Sequence, residues 1–137
     1  MLALVESWLN YLISHNDFVF TGFNIVRHRI GGIEFIIRKN IAFHSNINLQ
    51  TPHNDLELHG IKLTNFQNPV TVVAAYKPPD VYLTQDNWDS LINNLNSFDN
   101  VIIIGDFNSH NKTWNCDHKD ISGSRLLKSL NSIDNII

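Results

Sequence analysis

The sequence predicts one mixed α/β domain built in layers. Three observations carry that prediction. The 137 residues are 43% hydrophobic and only 17% charged, a balance suited to a packed core. Short β-rich runs follow one another between turn signals. Two segments with apolar residues at helical spacing flank one continuous β-branched run, which implies helices packed on a sheet.

In chain order, residues 2–5 form an apolar run that ends in Glu6, the pattern of a buried strand presenting a carboxylate at its C-terminal end. Phe23-Asn24-Ile25-Val26-Arg27 alternates, Gly31-Gly32 supplies a turn, and Ile33-Glu34-Phe35-Ile36-Ile37-Arg38 returns, so a hairpin is expected. Leu56 to Leu63 alternates again, Asn68-Pro69 turns the chain, and Val70 to Tyr76 is a strong strand stopped by Pro78-Pro79. Trp88, Leu91, Ile92, Leu95 and Phe98 recur at helical spacing between Asp86 and Phe98, with Thr84 or Asp86 as the N-cap. Val101-Ile102-Ile103-Ile104 runs into Gly105-Asp106 and reads as a central strand buried on both faces. A second helix is expected from about Ser122 to Ser132, with Leu126, Leu127, Leu130 and Ile133 inward, and Ile136-Ile137 reads as the start of a further strand. No repeat, linker or low-complexity tail divides residues 1–137.

A net charge of −3 excludes a general cationic surface that would hold nucleic acid by counterion release, so any such contact is local or metal-bridged. The single cysteine, Cys116, cannot form an internal disulfide, which favours a reducing compartment. The apolar start is interrupted by Glu6 and preceded by no Lys or Arg, unlike a signal peptide, and no apolar run nears the roughly 20 residues of a membrane span. An intracellular protein, nuclear or cytoplasmic and not secreted, is expected. Neither a membrane nor an obligate protein partner is implied.

The feature that points to chemistry is Gly105-Asp106-Phe107-Asn108 at the end of an apolar strand, because ligands of open α/β sheets bind at the carboxyl ends of strands. In an extended backbone Asp106 and Asn108 would point the same way, with Phe107 turned into the core. A carboxylate beside an amide suits a phosphoryl site, the first orienting a water and the second donating to it or to a phosphate oxygen. The spacing alone equally allows Asp106 to cap the loop and Asn108 to make an Asx turn.

Gly105-Asp106-Phe107-Asn108 resembles the signature of the endonuclease/exonuclease/phosphatase superfamily, and Ser109-His110-Asn111 with Trp114-Asn115 resembles the extension seen in non-LTR retrotransposon endonucleases. Val5-Glu6-Ser7-Trp8-Leu9, Gly22 to Arg27, Ala75-Tyr76-Lys77-Pro78-Pro79 and Gly123 with Leu126-Leu127 are similar to further family blocks in the same order. The resemblance implies a four-layered α/β sandwich and a metal-dependent DNA endonuclease domain of a retrotransposon, cutting the phosphate backbone to prime reverse transcription. It implies Glu6 as carboxylate ligand of Mg²⁺, with Mn²⁺ as the alternative ion. It also implies Tyr76 as hydrogen-bond donor to the scissile phosphate, Asp106 as the group orienting the attacking water, and Asn108 as its helper.

Arg27, His110 and Trp114 are weaker candidates for contact with DNA. Arg27, His28, Arg29, Arg38 and Lys39 surround one hairpin and can either track phosphates or form a solvated face; Trp8 and Trp114 can stack on bases. The family's first strand with its metal-site Asn would precede Leu2, and its late Asp and Asp-His pair would follow Ile137. The expectation is therefore a single, truncated domain over 1–137, with strands missing at both ends and impaired activity. A non-catalytic retroelement remnant and a phosphatase of the same superfamily are the alternatives. Glu34 stands where the family has a small apolar residue, and the spacing of His110, Cys116 and His118 matches no structural zinc motif.

Overall fold

Alternation along Val70-Thr71-Val72-Val73-Ala74-Ala75-Tyr76 decides the architecture, because this strand is buried on both faces and each face meets a different layer. The computed structural model describes residues 1–4, 21–27, 32–45 and 47–133. Among them a three-stranded sheet has the order β1 (Leu2–Leu4), β3 (Glu34–Arg38), β2 (Phe23–Arg27), all antiparallel. A four-stranded sheet has the order β4 (Phe43–His44), β5 (Glu57–Leu63), β6 (Val70–Tyr76), β7 (Val101–Asp106), in which only the β6–β7 pair is parallel. The result is an α+β fold of mixed sheets and two helices.

Val72, Ala74 and Tyr76 on one face of β6 join Ile61 and Leu63 of β5 and Ile33, Phe35 and Ile37 from the first sheet in one core. Val73 and Ala75 on the opposite face pack with Leu58 and with Trp88, Leu91, Ile92 and Leu95 of α1 (Gln85–Asn96), and Leu126 of α2 (Ile121–Leu130) completes that second core. Burying side chains of this size contributes roughly 1.5–3 kcal/mol each. Thr84 caps α1 through a reciprocal capping box with Asn87, and Asp120 caps α2.

The expected hairpin is present as β2–β3, with Arg27 opposite Glu34. β5, β6 and both helices lie where periodicity places them, α1 starting just after Thr84. β4 has no counterpart in the sequence reading, since two residues carry no periodicity. β7 corrects it: among the described residues this strand pairs with β6 alone, Ile102 is 51% exposed, and Gly105 and Asp106 are exposed as well. β-branched residues fit any pleated surface, so a run of them marks a strand without fixing its place in the sheet. Glu6, Trp8, His28, Arg29 and the expected strand at Ile136-Ile137 lie outside the described residues.

Candidate active site

Parallel pairing ends β6 and β7 together, with Tyr76 in register with Asp106. β5 runs the other way and begins at the same edge, with Glu57 in register with Tyr76. Glu57, Tyr76 and Asp106 therefore form one row across three strands. The first sheet reaches this edge too: the Gly32 N–H donates to Glu57 Oε2 at 3.1 Å, just before β3 begins at Glu34. Leu4 is in register with Glu34, so β1 also ends here.

Gly105 is what lets the two parallel strands converge. A Cβ at this position would fall 1.8 Å from the Ala75 carbonyl oxygen, so only glycine fits. The next residue, Asp106, is exposed, and its Oδ1 accepts the Asn108 N–H at 2.9 Å. Its backbone carbonyl accepts the Lys77 N–H at 2.9 Å. Asn108 adopts a left-handed backbone (φ 41°), and its side-chain amide donates to the Lys77 carbonyl at 2.9 Å.

This corrects the expectation that Asp106 and Asn108 share one side of an extended strand. Pleating stops at Asp106, an Asx turn follows, and Asn108 latches the ends of β7 and β6 together. Phe107 does turn inward, its ring centroid 6.1 Å from that of Trp88. Tyr76 is buried, on the face shared with Asp106.

Lys77 escaped the sequence reading as a structural residue. It is 1% exposed, and its Nζ donates to the carbonyls of Pro78 at 3.0 Å and Val81 at 3.1 Å. Burial holds its pKa below the usual lysine value, against the opposing pull of Asp120, Asp106 and Asp80. Glu57 was likewise missed; nothing in an alternating strand distinguishes it until Gly32 approaches.

Beyond Asn108 the loop is pinned to α2. His110 donates its N–H to Asp120 Oδ2 at 3.0 Å, and its Nδ1 lies 2.8 Å from the same oxygen. Asp120 Oδ1 accepts the Gly123 N–H at 2.6 Å, and the Ser109 and Ser122 hydroxyls are 2.7 Å apart. Burial pushes the Asp120 carboxyl up, but the bonds from Gly123 and His110 outweigh it and hold the group below its ordinary value. Trp114 donates its indole N–H to the Ser109 carbonyl at 3.0 Å and packs, partly buried, against the helix-side core. It therefore anchors the loop. Arg27 pairs with the buried Glu34 at 2.5 Å, which accounts for the glutamate at a position expected to be small and apolar. A cleft of about 410 Å³ beside the strand ends is lined by Lys77, Asp80, Asn108, Asp120, Ser122 and Arg125, among others. The structure thus brings Tyr76, Asp106 and Asn108 together at one edge, sets His110 and Trp114 on the adjoining loop, and places Arg27 on the other sheet.

Residues 70–137 match the sequence profile of the endonuclease-reverse transcriptase family. This segment is just under half of the chain. It contains Tyr76, Asp106, Asn108, His110 and Trp114. Among solved structures, the fold is similar to the endonuclease domain of TRAS1, a telomere-specific non-LTR retrotransposon, with a TM-score of 0.66 at 17% identity over 82% of this chain. The chain spans about half of that domain, 54% of its length. No curated protein matches the sequence. Among the described residues, no helix is long and apolar enough to cross a membrane.

Proposed function

We propose that this chain forms part of a metal-dependent DNA endonuclease site of the non-LTR retrotransposon type, centred on Asp106. The observation that carries the proposal is an exposed carboxylate, in register with Tyr76 and Glu57, at the carboxyl edge of parallel strands within a segment that matches the endonuclease-reverse transcriptase profile. Asp106 orients the attacking water and takes up its proton as the phosphate is attacked. Tyr76, beside it, hydrogen-bonds a phosphate oxygen. Asn108 acts mainly by holding the Asp106 turn, since its amide is bonded to the Lys77 carbonyl.

The donors at this edge suit the ion that such an enzyme uses. Asp106 and Glu57 offer carboxylate oxygens, and a hard cation such as Mg²⁺ or Mn²⁺ is held by one or two carboxylates with retained waters. Glu6, the ligand implied by the sequence resemblance, would add a further carboxylate. When bound, the cation supplies charge stabilisation at the phosphate.

A second reading has one specific observation in its favour. The Asp106–Asn108 and Asn108–Lys77 bonds together close a turn, a complete structural role that requires no turnover. Asp106→Asn separates the two readings, because the amide oxygen can still accept the Asn108 N–H while the negative charge is lost. The purified chain is incubated with supercoiled plasmid and Mg²⁺. Nicking that falls by at least about a hundredfold in the variant, with an unchanged unfolding midpoint, is expected of a catalytic group. A folded parent that does not nick, or nicking that the substitution leaves intact, overturns the catalytic reading.

A further inference from the structure

His110 and Asp120 are ten positions apart, and the fold brings them back together with His118 between them in sequence. The ring centroids of His110 and His118 are 4.5 Å apart at an interplanar angle of 24°. One ligand atom from each of His110, His118 and Asp120 lies within 4.8 Å of the other two. Capping of α2 explains why Asp120 is there, but it gives no reason for an exposed imidazole to lie against His110.

We propose that His110 and His118 form a second metal site, apart from the Asp106 edge, that takes a borderline divalent ion such as Zn²⁺ and in which Asp120 orients His110. The carboxylate accepts hydrogen bonds, so the His110 nitrogen 2.8 Å from it, Nδ1, carries the proton, and the lone pair resides on Nε2. A histidine ligand whose other ring N–H is held by a carboxylate is the usual arrangement in metal sites, since the partner fixes the tautomer and raises the basicity of the ligand nitrogen. Asp120 is itself fixed by the Gly123 and His110 N–H groups, so the ring rests on a rigid support.

Neutral imidazoles select Zn²⁺, Cu²⁺ or Ni²⁺ over Mg²⁺ and Ca²⁺, so this site and the oxygen-donor edge differ in ion preference. Two imidazoles in a tetrahedral zinc shell place their nitrogens about 3.3 Å apart, and one ring nitrogen of each histidine already lies within 4.8 Å of the other. Waters complete the shell. The positive end of the α2 dipole disfavours a cation nearby, and the Asp120 charge offsets it. Bound there, the ion ties the middle of the loop to the support at the start of α2. The proposal stands independently of the endonuclease reading, and its test involves no turnover.

The full chain, stripped with a chelator, is titrated with Co²⁺ read by visible absorption, and Zn²⁺ affinity is obtained by competition. The parent should bind one Zn²⁺ that excess Mg²⁺ does not displace, and its melting temperature should rise with Zn²⁺. His118→Ala should weaken binding at least about tenfold, and Asp120→Asn about 10- to 100-fold, the effect of losing a carboxylate partner. Asparagine is as good an N-cap as aspartate, so α2 should survive that substitution. If Asp120→Asn nevertheless melts early, the exposed His118→Ala decides the matter alone. His53→Ala, at the separate His53–Asp55 pair, should bind as the parent does. Equal binding by the parent and His118→Ala, or equal loss with His53→Ala, overturns the proposal.

Discussion

Asp106 and Asp120 stand at opposite ends of one loop and carry the same side chain, yet the fold uses them differently. Asp120 accepts two backbone N–H groups and faces a ring nitrogen, and those bonds hold its carboxyl below the ordinary range despite the opposing effect of burial. Asp106 accepts one N–H, from Asn108, and is exposed at the strand ends. A carboxylate is available for chemistry only where structure has not consumed its lone pairs. By that criterion the start of α2 is scaffold and the end of β7 is the place to look for reactivity.

The largest effects should come from the backbone contacts that fix both ends of the loop. A Cβ at Gly123 would fall 2.1 Å from the His110 carbonyl oxygen, and the one at Gly105 meets the Ala75 backbone even more closely. Gly105→Ala and Gly123→Ala should each cost more than about 3 kcal/mol in urea unfolding, at or above the upper end of ordinary overpacking, because backbone cannot move aside as a side chain can. A cost below about 1 kcal/mol for either would mean that the loop end it fixes is soft.

Next in size is removal of the scaffold carboxylate. Asp120→Ala loses the cap of α2 and the His110 contact and should cost about 2 kcal/mol, whereas Asp120→Asn should cost less than half of that. The pH dependence has a definite sign. A carboxyl held below its ordinary value of about 3.9 contributes stability that is present above that value and lost as pH falls through the lower, folded value. Asp89, on α1, is lowered likewise, by Ser129 and then Gln85. Acid unfolding in metal-free buffer should therefore become less steep in Asp89→Asn and in Asp120→Asn, and an unchanged slope in both would show that these bonds do not form.

Much of this was legible in the sequence. Strands β2 and β5 and both helices follow from periods of 2 and 3.6, whereas β3 and β6, buried on both faces, follow from β-rich runs between turn signals. The order of Tyr76, Asp106 and Asn108 was legible from motif resemblance. The orientation of Asn108 was not, because a positive φ breaks the alternation that a strand reading assumes. Lys77 entered only as part of the Ala75–Pro79 block, and its burial depends on the Pro78 and Val81 carbonyls curling back over the ammonium group. The exposure of Ile102 and the meeting of Glu57 with Gly32 are properties of how the sheets are stacked, which local pattern does not encode.

The smallest effect should fall at Asp106, and its smallness is what gives the comparison its force. Asp106→Ala removes one acceptor from an N–H at an exposed turn, where water can replace it, so the expected cost is about 0.5–1 kcal/mol. Asp106→Asn keeps an acceptor in the same place and should lie within about 0.5 kcal/mol of the parent. Both values are read from the urea midpoint at fixed slope, which keeps changes in the unfolded state out of the comparison. If Asp106→Asn destabilises the chain as much as Asp120→Ala does, the charge at β7 is structural after all. A near-zero cost would leave Asp106 as a carboxylate that the fold positions without depending on it, which is the condition a catalytic role requires.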